Sequence, residues 1–177
     1  MQSRQPLSRM PQLPAESGRL LLWEQTRSWR RFFLSRLQQV EPSKTTDISL
    51  VVEQAIFIDS ARELDDAVEQ HPASFVIAES TLPHIRELLV RLPFLRQGRP
   101  LLRVAVACFE LPQRPIDEYE AIAAIFREAG AVAVLATQRE LQAITPAVAT
   151  HFMEIPQRKT DWRDEIERRL PWRNAMQ

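Results

Sequence analysis

Short apolar runs alternate along this chain with stretches whose apolar residues recur every three or four positions. The first run is Leu20 to Trp23. From about Arg27 to Gln39, Trp29, Phe32, Phe33 and Leu37 recur at helical spacing and predict a helix with those side chains inward. Pro42 to Asp47 is polar and reads as a loop. Ile48 to Val52 and Ala55 to Ile58 both look like strands. They read as one long bulged strand, or as a short extra strand followed by the second sheet strand, with the first option preferred. Ser60-Ala61-Arg62-Glu63 has the form of a capping box, in which hydroxyl and carboxylate satisfy free N–H groups reciprocally. The helix it opens carries Leu64, Ala67 and Val68 inward and stops near His71-Pro72.

Phe75 to Ala78 is the third strand, and Pro83 suits the first turn of the next helix. Ile85, Leu88, Leu89 and Leu92 form the apolar face of that helix, with Pro93 expected to break it. Gly98 and Pro100 turn the chain into a fourth strand, Leu101 to Cys108. Pro115, Asp117 and Glu118 start another helix, since acids favour the positive N-terminal end. Its inward stripe is Tyr119, Ile122, Phe126 and Ala129, and Gly130 is placed to close it. Val132 to Leu135 is the fifth strand. Thr137-Gln138-Arg139-Glu140 repeats the capping-box pattern ahead of a helix with Leu141, Ile144, Val148 and Phe152 inward, kinked or restarted at Pro146. Strands alternating with helices predict an α/β fold with parallel pairing and right-handed crossovers. The nearly continuous apolar strands fit a sheet covered on both faces.

The flanks differ. Residues 1–18 hold Pro6, Pro11 and Pro14 among polar residues, a composition expected to stay disordered. Residues 154–177 form an extension in which Trp162, Ile166 and Leu170 recur every four residues along an otherwise charged stretch, with Trp172 just beyond Pro171. That stripe has three readings: packing on its own domain, docking on a protein partner, or pairing with its twin in a homodimer. Residues 19–153 carry the α/β pattern.

Composition narrows function. The 177 residues include 23 basic and 23 acidic side chains, a net charge of zero, so nothing calls for a nucleic-acid partner. No run approaches the roughly 20 apolar residues that span a bilayer, and no membrane partner or secretory leader is expected. A lone cysteine, Cys108, excludes an intrachain disulfide and a multi-cysteine metal site. A cytoplasmic location fits these features. Of the 23 basic residues only Lys44 and Lys159 are lysines. Glycine is confined to Gly18, Gly98 and Gly130, so no strand of the sheet runs into a glycine-rich phosphate loop. No Walker pattern or Gly-x-Ser-x-Gly elbow is present.

Three local patterns join this order of elements. Arg19-Leu20-Leu21-Leu22-Trp23-Glu24 runs an opening strand into an acid. Phe75-Val76-Ile77-Ala78-Glu79-Ser80-Thr81-Leu82-Pro83 ends the third strand in an acid, with proline four residues on. Arg127-Glu128-Ala129-Gly130-Ala131 precedes the fifth strand. From Arg19 to Phe152 the chain resembles the receiver domain of two-component response regulators. The resemblance implies a flavodoxin-like, three-layer αβα sandwich whose five-stranded parallel sheet runs in the order 2-1-3-4-5. It also implies a site, which is degenerate here. Receivers bind Mg²⁺ through an acidic pair after the first strand and an aspartate after the third, because hard cations take several oxygen ligands. The corresponding positions hold Glu24, Gln25 and Glu79. The hydroxyl position after the fourth strand falls on Ala107 or Cys108, and the lysine position on Thr137.

Taken together, these departures remove metal charge, phosphoacceptor and phosphate-neutralising cation. The expected protein is a pseudo-receiver: a non-enzymatic signalling or protein-interaction module with no catalytic residues, no cofactor and no metal. Its partner is another protein or a second copy of itself. The alternative is a flavodoxin-like protein that binds a small molecule or nucleotide, enzymatic or not. For Glu79 the sharp reading is a mimic of a phosphorylated aspartate and the bland one a solvated carboxylate at a strand end. Glu24 and Glu79 without a third carboxylate make a poor Mg²⁺ site. Cys108 reads as inert core rather than a reactive thiol, and Thr137 as a helix cap. His71, His84 and His151 lack zinc spacing.

Overall fold

The computed structural model describes residues 18–26, 28–40 and 48–155. The expected N-terminal tail, the 42–47 loop and the Trp162, Ile166, Leu170 and Trp172 positions lie outside the described residues.

Five strands form one parallel sheet: β1 Leu20–Trp23, β2 Ile56–Ile58, β3 Phe75–Glu79, β4 Arg103–Ala107 and β5 Ala133–Leu135, in the order β2-β1-β3-β4-β5. The helices are α1 Arg30–Leu37, α2 Ile48–Glu53, α3 Ala61–Gln70, α4 Ile85–Arg96, α5 Ile116–Glu128, α6 Gln138–Ala143 and α7 145–155. This is the flavodoxin-like α/β architecture expected from the sequence. Alternation along each strand divides the core in two. Leu21, Trp23, Val76, Ala78, Val104 and Val106 face α3, α4 and α5, whereas Leu20, Leu22, Phe75, Ile77, Ala105 and Ala107 face α1, α2, α6 and α7. Every strand residue of β1 and β3 is buried, as a sheet covered on both faces requires.

Several local expectations need correction. The run Ile48–Val52 is helical, not a strand. A short apolar run cannot be assigned by period alone. Ile48, Val51 and Val52 stand at helical spacing, and all three pack in the cluster that holds Phe33 and Leu37 of α1. Pro93 does not end α4, which continues to Arg96. Pro93 is exposed, and the turn beyond it buries Leu95, which offsets the lost backbone hydrogen bond. The helix closes where Gly98 adopts φ +71° and Arg99 donates to the Phe94, Leu95 and Gln97 carbonyls. The Ser60 hydroxyl accepts from the Glu63 N–H as a cap, but the Glu63 carboxylate accepts from the Asp59 N–H, one residue before the expected donor. At Thr137 the reciprocal box is complete. Gly130 closes α5 with φ +110°, and the helix beyond Ile144 restarts with Pro146 in its first turn.

Both ends of the described domain meet at one pole, where the strands begin. A Cβ at Gly18 would lie 2.0 Å from the Ala73 carbonyl oxygen and 3.2 Å from Ile155 Cδ1. His151 of α7 reaches the same Ala73 carbonyl at 2.9 Å. No helix among the described residues is long and apolar enough to cross a membrane.

Candidate functional site

Register brings the acidic positions together. Trp23 pairs with Ala78, and Glu79 with Ala107. Glu24, Glu79 and Cys108 therefore sit side by side at the C-terminal ends of β1, β3 and β4. Open α/β sheets bind ligands at this edge. In this chain the carboxylates there turn to the protein's own backbone.

Glu79 is only 3% exposed. Its Oε2 accepts from the Gln25 N–H at 2.6 Å and the Thr26 N–H at 2.9 Å, and its Oε1 accepts from the Thr26 hydroxyl at 2.7 Å. Removing a carboxylate from water is tolerated when donors replace the hydration shell, and three charge-assisted bonds do that here. Glu79 is thus neither a solvated side chain nor a group held out toward solvent. It is a clasp on the loop that follows β1, which corrects the reading of it as a solvated carboxylate.

Glu24, at 7% exposure, works on the other side of the same loop. Its Oε1 accepts from the Trp29 N–H at 2.6 Å and the Arg30 N–H at 3.1 Å, two of the donors a helix start leaves open. Arg30 returns a charge contact, with Nε 3.4 Å from Glu24 Oε2, while its guanidinium lies 4.7 Å from the Phe57 ring centroid on β2. A carboxylate from a neighbouring loop therefore does the capping that Trp29, the N-cap residue, has no side chain to do.

A third acid joins them. Glu110 Oε2 accepts from the Leu82 N–H at 2.7 Å, tying the segment after β4 to the 3₁₀ turn after β3. Thr81 donates to Gln25 Oε1 at 3.3 Å and lies 2.7 Å from His84 Nδ1. Sequence reasoning missed Glu110, and read Thr26 only as a weak anion-binding candidate in Glu24-Gln25-Thr26-Arg27, where its hydroxyl in fact donates to Glu79. Thr26 follows the acid of the opening strand and Glu110 lies two residues past Cys108, positions on the right edge of the sheet, but neither carries a motif.

Cys108 is fully buried. Burial pushes its thiol up, and the Glu110 and Glu79 carboxylates add to that, against backbone hydrogen bonds at Glu110 and Leu111. A thiol held protonated is a poor nucleophile. Thr137 lies past β5, accepts from the Glu140 N–H at 3.2 Å and is tied into the start of α6. None of Glu24, Gln25, Glu79, Cys108 and Thr137 lines either of two surface grooves, one of about 690 Å³ between α3 and α4 and one of about 410 Å³ beside β5 and α7.

The Mg²⁺ that the receiver resemblance implies does not fit these residues. Both oxygens of Glu79 accept protein donors, Glu24 caps α1 and faces Arg30, and Gln25 brings no charge. Among the described residues no group of three or more His, Cys, Asp or Glu side chains is placed to hold a metal ion. No protein-family model matches the chain, and no curated protein matches it.

Proposed function

We propose that this protein is a pseudo-receiver, a cytoplasmic, non-enzymatic module of signal transduction that acts by binding another protein. The observation that carries the reading is the three-donor clasp on Glu79. A phosphoacceptor must present a free oxygen in line with the incoming phosphoryl group, beside a metal and a cation that neutralise the developing charge. Here the side chain at that position is buried, both its oxygens accept protein donors, and Thr137 at the lysine position is part of a helix cap. The fold alone does not establish function, since the same sheet order hosts many unrelated activities. The chemistry of this edge is what favours a scaffold role over phosphotransfer.

Incubation of the full chain with acetyl phosphate and Mg²⁺ is the test, read by intact mass. The expected result is no phosphoryl adduct. Stoichiometric labelling that disappears in Glu79→Ala would overturn the reading. A thermal-shift screen against nucleotides and flavins separates this proposal from a ligand-binding role. A ligand specific for the folded state at a hundred times its Kd adds about 2.7 kcal/mol and raises the melting temperature. The scaffold reading expects no such shift.

A further inference from the structure

The larger of the two grooves, about 690 Å³, runs between α3 and α4. Each of these helices follows a strand of the parallel sheet and returns to the pole where the next strand begins, so the two run side by side in the same direction. Arg91, midway along α4, reaches Asp65 and the Ala61 carbonyl in the first half of α3, which fixes their relative height. On the groove side of α4, Arg86, Val90 and Phe94 follow one another at steps of four, a single helical ridge. Val90 is 60% and Phe94 66% exposed, so the apolar part of that ridge lies open. Most charges around it are already answered. Arg91 pairs with Asp65 and, at 3.8 Å, with Glu87, and Arg99 donates to three main-chain carbonyls. Arg86, at the start of α4, and Glu69, in the last turn of α3, are exposed and make no ion pair with a described residue. They line the same groove from opposite ends.

We propose that this face binds a second copy of the chain, with α4 lying against its twin across a two-fold axis. Contacts across such an axis are reciprocal: where residue i meets residue j, j also meets i. With the axis set across the helices the two ridges run antiparallel. Val90 of each copy then meets Phe94 of the other, and the start of each α4 reaches the far end of the other copy's groove. Arg86 of each copy faces Glu69 of the other, so both unanswered charges find partners, twice over. An axis along the helices would instead set Arg86 level with Arg86, like against like. A partner of one sign fits less well. An acidic peptide or a phosphate backbone would satisfy Arg86 but meet the carboxylates of Glu69, Asp65 and Glu87 around it. A second copy brings both signs in reversed order, and covers the open apolar ridge with the same apolar ridge. The groove shares no residue with the acidic edge, and the inference does not depend on the pseudo-receiver reading.

Sedimentation velocity of the full chain tests it, over concentrations from about 1 to about 100 µM, where an association of micromolar affinity dissociates. The expected result is dimer mass at the upper end and monomer mass at the lower. Phe94→Glu should weaken the dimer about a hundredfold, because the two-fold axis counts each loss of about tenfold twice. Arg86→Glu and Glu69→Arg should each weaken it about tenfold, by setting like charges face to face. Mixed in equal amounts, the two charge variants should recover the parent's association, since each then meets the opposite charge at both pairs. All three positions are exposed, and circular dichroism checks that the variants fold. Monomer mass throughout the range overturns the proposal. So does a dimer that Phe94→Glu leaves intact, or a mixture of the charge variants no tighter than either alone.

Discussion

Replacing Glu79 with alanine removes the acceptor for two backbone N–H groups and one hydroxyl at once. Hydrogen bonds to a charged acceptor contribute about 1.5–3 kcal/mol each. The three donors are only part-buried, so water replaces some of what is lost. A net loss of about 3 kcal/mol follows, nearer the contribution of one or two such bonds than of three. With a urea m-value of about 1.5 kcal/mol/M, that is a fall of about 2 M in the unfolding midpoint. Glu79→Gln keeps the shape and one carbonyl oxygen but turns an NH₂ toward a donor, and should fall between alanine and wild type. Thr26→Val deletes the hydroxyl alone and should cost about 1 kcal/mol. In the Glu79→Ala background the same change should cost less, because only the exposed contact with the Ser28 hydroxyl at 2.8 Å is left to lose. Urea unfolding followed by circular dichroism gives the midpoints, and hydrogen exchange at Gln25 and Thr26 gives the local response. A loss under about 0.5 kcal/mol for Glu79→Ala, the ordinary range for a surface substitution, refutes the clasp.

Cys108 should react with a disulfide reagent only as fast as the domain opens, and faster in Glu79→Ala; rapid reaction in the native state would contradict its burial. Burial of His71, with Arg19 nearby, holds its imidazole below the ordinary value of 6.5. The folded state therefore binds fewer protons than the unfolded one, and the stability this confers, complete above 6.5, is lost as pH falls from there toward the lowered folded value. Urea midpoints at neutral and mildly acidic pH should show a shallower acid slope in His71→Gln, and an unchanged slope would count against the assignment. Gly130→Ala should cost about 1–2 kcal/mol by urea unfolding, because φ is +110° and the new Cβ would meet the Arg96 side chain at 2.6 Å. Gly18→Ala should cost about 1–3 kcal/mol by the same measurement, since its Cβ would lie 2.0 Å from the Ala73 carbonyl oxygen and the backbone must move.

Much of this architecture was readable from periodicity. The runs at Leu20, Phe75 and Val132 fell within a residue of the observed strands, and most of the helical stripes between them are buried faces; Phe32, read as inward, is instead half-buried beside the Arg36 guanidinium and outside both core clusters. Reading failed where a local rule met a tertiary one. Ile48–Val52 has β-branched residues and no polar interruption except Ser49, yet the sheet edge is taken by Ile56–Ile58 and the preceding residues pack on α1 as a turn and a half of helix. Pro93 should have stopped α4, but Leu95 carries enough burial to extend it. The acidic edge was legible as a set of positions: Glu24, Gln25 and Glu79 do converge. What those side chains do was not legible, because a strand-end carboxylate looks the same in sequence whether it faces solvent or three donors. Glu110 is the sharpest case. Its partner Leu82 is 28 residues away, and only the adjacency of β3 and β4 brings them together.

The meeting of Gly18 with the last turn of α7 has a consequence for how such a unit can be wired to neighbours. Anything attached before Gly18 or after Ile155 is anchored within a few ångströms of the same spot, so the domain hangs from its attachments like a fob. Glu24, Glu79 and Glu110 lie at the other end of the strands from these two attachment points. Grafted into a loop of a host protein, the domain would need its two junctions only a short distance apart, a requirement that many surface hairpins already meet.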